Sequence, residues 1–271
     1  MSVISKIKAV AKYVRYNGKI TQLTLCQINR GGGLQGKKIV VTGGGSGIGL
    51  AMAKKFLSEG AEVVITGRNI EKLKEAESSI SNPNLHILQW DIAKTDEINE
   101  KLKKAIDMMG GINAFVNNAA FLDRKQTNEE FYDKTLDTNL RAVYFICQQV
   151  VSALVKMNGD TGGKILNISS INGCMSSTHP YYISKWGLNG LTKGFAKEYA
   201  SKNIIVNAIA PGYCSSSINY QDIEENAYSP KNPIRRIIVP EDIAELASFL
   251  LSDAANAIVG QIITVDGGTT L

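Results

Sequence analysis

The chain has 271 residues, 44% of them hydrophobic, enough to bury one full core and consistent with a single domain of slightly above average size. No run of about 18 apolar residues occurs, so no membrane span is expected; four scattered cysteines (Cys26, Cys147, Cys174, Cys214) and two histidines (His86, His179) argue against a metal site or a disulfide scaffold and suit a reducing cytosol. The net charge of +5 is local: residues 1–38 hold eight basic side chains and no acid precedes Glu59, which leaves 22 basic against 25 acidic residues and no expectation of a nucleic-acid partner.

In residues 3–16, Val3, Ile7, Val10 and Val14 recur at helical spacing while Lys8, Lys12 and Arg15 take another face, so an amphipathic helix is expected. Three roles are open for it: docking on the body or on a neighbouring subunit, peripheral contact with an anionic membrane, or organelle targeting. A cytoplasmic location is expected, with targeting left open by this arm. Residues 20–28 are strand-like, Gly31 to Gly33 read as a hinge, and the division falls between a basic arm (1–36) and a catalytic domain (37–271).

The domain opens on the apolar run Ile39, Val40, Val41, followed by Thr42 to Gly49, Thr-Gly-Gly-Gly-Ser-Gly-Ile-Gly. A helical pattern (Leu50, Ala53, Phe56, Leu57), Gly60 and a second strand from Val63 to Thr66 complete a βαβ unit. A dinucleotide diphosphate resting on backbone N–H groups at a helix N-terminus leaves no room for Cβ atoms. Gly43, Gly47 and Gly49 are therefore the candidate phosphate contacts, with Gly45, Ser46 and Ile48 completing the turn. Where a binder of the unphosphorylated dinucleotide carries an acid for the ribose 2′-hydroxyl, this chain has Thr66-Gly67-Arg68-Asn69. The Arg68 guanidinium suits a 2′-phosphate, so NADP(H) is favoured over NAD(H).

Helices are expected over 70–80, 95–109, 128–157 and 181–199, with a short one from Pro240; strands are expected over 85–90, 113–116, 164–168, 204–209 and 262–265. Seven strands alternating with helices imply an α/β fold: one Rossmann-type, doubly wound domain with a seven-stranded parallel sheet, whose ligands lie beyond the carboxyl ends of the strands.

Reducing a carbonyl leaves negative charge on oxygen, so a proton donor is needed there. A tyrosine qualifies when a cation helps to ionise its phenol, whose ordinary pKa is about 10. Tyr181 and Lys185, four apart at a helix start, share one face.

The glycine turn and this Tyr-x-x-x-Lys resemble the short-chain dehydrogenase/reductase superfamily in its compact branch, over roughly residues 37–271, and in particular its 3-oxoacyl reductase-like carbonyl reductases. The resemblance implies a catalytic set of Asn139, Ser170, Tyr181 and Lys185: Ser170, with Ser169 as the fallback, bonds the substrate oxygen, and Asn139 holds a relay water behind the lysine. It implies further cofactor contacts. Asp91, with Ile92, meets the adenine; Asn117, in Asn117-Asn118-Ala119-Ala120, steadies the backbone beside the cofactor, and Ala119 lines it; Pro211, Gly212 and Ser216 border the nicotinamide, which Tyr181 and Lys185 also approach. Many phosphate-preferring members of that family also place a basic residue just before the second motif glycine, where this chain has Ser46. A homodimer or homotetramer is expected, as is a small carbonyl or alcohol substrate chosen by two loops, one from Cys174 to Pro180 and one from Tyr213 to Arg236. His179 is read in the first loop as a substrate contact or a solvated side chain. Two other activities compete with hydride transfer: a non-catalytic dinucleotide-binding scaffold and a nucleotide-sugar isomerase or dehydratase with a tightly held cofactor.

Overall fold

The computed structural model describes residues 32–123, 128–214, 227–230 and 232–271. The expected arm helix, the stretch 20–28 and Ser216 lie outside the described residues.

Seven strands, β1 (Lys38–Thr42), β2 (Glu62–Gly67), β3 (Leu85–Gln89), β4 (Ala114–Asn117), β5 (Gly163–Ile168), β6 (Ile204–Pro211) and β7 (Ile262–Val265), form one parallel sheet in the order β3-β2-β1-β4-β5-β6-β7. This is the doubly wound α/β architecture expected from the alternation of strands and helices. The helices are α1 (Gly47–Ser58), α2 (Ile70–Ile80), α3 (Ile98–Met109), α4 (Glu129–Leu136), α5 (Ala142–Asn158), α6 (Pro180–Tyr199) and α7 (Pro240–Leu251).

Strand alternation sorts the core into two layers. On β1, Ile39 and Val41 face Met52 and Phe56 of α1, Leu73 of α2 and Ile243 of α7. Val40, between them, faces the other side with Leu102 of α3, Ile146 and Val150 of α5, and Leu188 of α6. The helical stretch 129–161 has the length and composition to cross a membrane, but its apolar residues Ile146, Val150 and Leu154 are spent in this second layer.

Two details depart from the sequence pattern. The helix expected over 128–157 is interrupted by a π-helical turn at Asp137–Arg141 that separates α4 from α5, a geometry found mostly at functional sites. The domain's packing also begins before Lys37, because Leu34 is fully buried in the first layer and its N–H donates to the Glu59 carbonyl.

Strand order reverses at β1, which pairs with β2 on one side and β4 on the other. The chain leaving β1 and the chain leaving β4 therefore diverge to opposite faces and open a crevice above their carboxyl ends.

Candidate active site

That crevice is a cleft of about 900 Å³. Its floor begins at Thr42, whose hydroxyl accepts from the N–H groups of Asn118 (3.0 Å) and Ala119 (3.1 Å) and donates to the Val116 carbonyl (3.2 Å), tying the end of β1 to the end of β4. Asn118 completes the tie by donating from Nδ2 to the carbonyls of Thr42 (2.8 Å) and Gly43 (3.2 Å). Gly43 and Gly47 have φ of +68° and +53°, the left-handed region that favours glycine. A Cβ on Gly49 would strike the Gly43 carbonyl, and one on Gly44 would lie 2.5 Å from Ile65.

The first turn of α1 carries no acidic residue and the Ser46 side chain does not cap it, so its N–H groups face a bare cradle suited to a phosphate. The buried Thr66 hydroxyl, which has no hydrogen-bond partner among the described residues, also lies on the cleft wall. Glycine cradle, helix terminus and orphaned hydroxyl together fit a dinucleotide.

Of the expected cofactor contacts, Gly43, Gly45, Ser46, Gly47, Ile48, Arg68, Asp91, Ile92, Ala119, Tyr181, Lys185, Pro211 and Gly212 line this cleft. Gly49 sits just beneath, packed on Gly43 and Asn118. Asn117 does not reach it: buried, it donates to Asn167 Oδ1 (2.9 Å), and Asn167 donates to Thr192 Oγ1 (2.9 Å) on α6. The backbone-steadying role expected of Asn117 is filled in this geometry by Asn118, whose side chain, one residue on, turns to the glycine loop.

Tyr181 and Lys185 stand on α6 at the inner end of the cleft. Lys185 is 3% exposed and donates to the Ile168 carbonyl (2.8 Å), with Nζ 5.6 Å from the Tyr181 ring centroid. Burial pulls its pKa down to about 8. Among the described residues no carboxylate lies within ion-pair distance of it.

The two serines ending β5 differ in how their hydroxyls are used. Ser169 donates to Asn189 Oδ1 (2.6 Å) and is thereby anchored to α6. Among the described residues Ser170 only accepts, from the Asn172 N–H (3.1 Å), so its hydroxyl hydrogen is left for a ligand in the cleft that it lines. Asn139 is 1% exposed, inside the π-helical turn. Its Oδ1 accepts from the Phe121 N–H (2.7 Å), and its Nδ2 donates to the Phe121 carbonyl (2.9 Å) and Ser184 Oγ (3.3 Å). The side chain thus clamps the strand-end loop and does not reach the cleft, which its neighbour Thr138 lines.

The loops expected to choose substrate are partly described. Arg236 is held in a two-pronged bond to Asp242 at the start of α7 (2.6 and 2.8 Å). Tyr228 is buried. His179, half-buried, caps α6, its Nδ1 accepting from the Tyr181 N–H (3.1 Å).

The sequence model of a family described as enoyl-(acyl carrier protein) reductase matches residues 43–270. A 3-oxoacyl-(acyl-carrier-protein) reductase of Chlamydia muridarum is 36% identical over 245 residues, covering 87% of this chain and 98% of the relative. A 3beta-hydroxysteroid dehydrogenase of Eggerthella lenta is 34% identical over 252 residues, covering 88% and 95%. The crystal structure of a 3-ketoacyl-(acyl-carrier-protein) reductase from Brucella melitensis in complex with NADH superposes with a TM-score of 0.80 at 27% identity, covering 88% of this chain and all of that one.

Proposed function

The chain belongs to the short-chain dehydrogenase/reductase family, as an oxidoreductase of carbonyl and alcohol groups that uses a nicotinamide cofactor, and from that premise we propose an NADP(H)-dependent carbonyl reductase with Tyr181 as its general acid and base. The observation that carries the reading is that Tyr181 and Lys185 share one cleft with the glycine turn and Arg68.

When bound, the nicotinamide supplies the hydride to the carbonyl carbon or accepts it from the alcohol. Ser170, with its uncommitted hydroxyl hydrogen, holds the substrate oxygen. Tyr181 gives its phenolic proton to that oxygen, and Lys185, a buried cation beside the ring, stabilises the phenolate left behind. Asn139 fixes the loop after β4, and with it one wall of the cleft. Arg68, exposed at the outer end and without a carboxylate partner among the described residues, takes the 2′-phosphate.

A 3-oxoacyl thioester is the first substrate class to assay, because the reductase relatives are named for it. Tyr181→Phe is expected to lower turnover about a thousandfold while NADPH affinity stays within about twofold, since the ring remains and only the hydroxyl that carries the proton is lost. Turnover at the wild-type rate would refute the assignment.

We further propose a homo-oligomer. Tyr144 and Phe145 on α5 and Ile183 and Trp186 on α6 are exposed large apolar side chains on two neighbouring helices, a surface suited to a second copy of the chain. Sedimentation of the purified protein as a monomer would overturn this.

A further inference from the structure

We propose that His179 is a positioning residue for Tyr181, acting as a hydrogen-bond acceptor at the start of the helix that carries the phenol; the inference rests on the catalytic reading of Tyr181 given above.

Helix α6 begins with Pro180, which has no N–H, so the first backbone donor in need of a partner is that of Tyr181 itself. His179 Nδ1 accepts it at 3.1 Å. The cap therefore ends on the residue whose side chain would move the proton. Histidine is not a usual N-cap; serine, threonine, aspartate and asparagine are, and Ser176, Ser177 and Thr178 stand immediately before it. Ser177 is spent on the His179 N–H (3.1 Å).

Neighbouring rings hold the imidazole in place as it accepts. It meets the Phe131 ring of α4 edge-on at 5.5 Å and the Tyr182 ring at 6.0 Å. Phe131 in turn packs on Phe121 (5.9 Å), whose backbone Asn139 clamps. One continuous line of contacts thus runs from Asn139 through Phe121, Phe131 and His179 to the Tyr181 backbone, so two members of the expected catalytic set are held in one frame. An Nδ1 that accepts requires the ring proton on Nε2, which assigns the tautomer.

Two measurements test this. Nitrogen-15 labelling of histidine yields only two ring systems, His86 and His179, told apart by His86→Gln. The expected His179 signal is the tautomer protonated on Nε2; a proton on Nδ1 in the neutral ring would overturn the inference.

The second measurement compares His179→Asn, which keeps a capping acceptor but loses the ring contacts, with His179→Phe, which keeps the ring and loses the acceptor. Turnover of NADPH with a carbonyl panel led by a 3-oxoacyl thioester is expected to fall about tenfold in His179→Phe, in kcat more than in KM, and to stay within about twofold of wild type in His179→Asn. Unchanged kcat in His179→Phe, or equal losses in both variants, would overturn the role. Should His179→Phe fail to fold, His179→Ala replaces it, since His179→Ala and His179→Asn both lack the ring and differ in the acceptor. Tyr181→Phe assayed beside them separates the two failures: an active Tyr181→Phe sinks the catalytic reading, whereas an inactive one beside a fully active His179→Phe sinks only the positioning role.

Discussion

The two ends of the sheet use basic side chains in opposite ways. At the amino ends of the strands two are matched: Lys37 pairs with Asp253 (2.9 Å), and Lys164 at the start of β5 donates to the carbonyls of Leu250 (3.3 Å) and Ser252 (2.5 Å). At the carboxyl ends, Arg68, Lys72 and Lys185 line one cleft, and among the described residues none has a carboxylate within ion-pair distance. Burial treats Lys164 and Lys185 alike, drawing both down to about 8. A shifted pKa therefore does not tell a structural lysine from one that serves a ligand. The neighbours do. Lys164 fastens the end of a helix, whereas Lys185 has one backbone carbonyl and the face of a tyrosine.

Lys185→Met is the strongest test of that difference. Turnover is expected to fall at least about a hundredfold, because the phenolate loses its cation. Folding stability of the ligand-free protein should hold or rise, because the substitution removes a buried charge that has no anionic partner. The sign of the pH dependence follows from the shift. In the folded chain Lys185 releases its proton near 8, and in the unfolded chain near the ordinary lysine value of 10.5, so between those values the unfolded chain binds more protons. This lysine's penalty on folding is full below about pH 8 and fades as pH rises. Thermal melts should show the advantage of Lys185→Met largest near pH 7 and shrinking toward pH 10; a large loss of stability at pH 7 would make Lys185 structural, like Lys164.

Arg68→Ala tests the outer end of the same cleft. Removing the guanidinium is expected to weaken NADPH about tenfold to a hundredfold and to leave NADH nearly unchanged, since only the 2′-phosphate distinguishes them. Calorimetric titration of both dinucleotides into both proteins reads the ratio directly. Equal weakening of the two would mean that Arg68 stacks on the adenine and does not select the phosphate.

Much of this was legible from pattern. The 39–41 run, the glycine turn and the Tyr-x-x-x-Lys spacing fall on the strand, turn and helix they imply because each depends on local geometry: strand alternation, a tight turn, one helix face. What was not legible depends on partners distant in sequence. The residues from 128 to 157 read as one helix, and nothing local marks the π-helical turn, because Asn139 in it is held by Phe121, 18 positions earlier. The pair Asn117-Asn118 offers two identical amides, and only strand register decides that Asn118 turns to the glycine loop while Asn117 turns inward. Gly44 is not among the contacts expected of the motif, yet Ile65 on β2 leaves no room for a side chain there. His179 reads from sequence as a substrate contact or a solvated side chain, because its spacing relative to Tyr181 signals a cap only once the helix start at Pro180 is known.

Lys164→Met is the smallest of these effects and the control that gives the others meaning. Two contributions oppose each other. Losing the ammonium removes the donor to two carbonyls at the end of α7 and a favourable charge at a helix C-terminus. It also relieves the cost of burial that draws the pKa down to about 8. The Leu250 carbonyl belongs to a residue only 2% exposed, so water is poorly placed to replace the lost donor and the first contribution prevails. A net loss of about 1 kcal/mol is expected in urea or thermal unfolding, with kcat and dinucleotide affinity unchanged because the site lies at the opposite end of the strands. If Lys164→Met instead lowers turnover as Lys185→Met does, the two ends are mechanically coupled through β5, whose last carbonyl, that of Ile168, is the hydrogen-bond partner of Lys185.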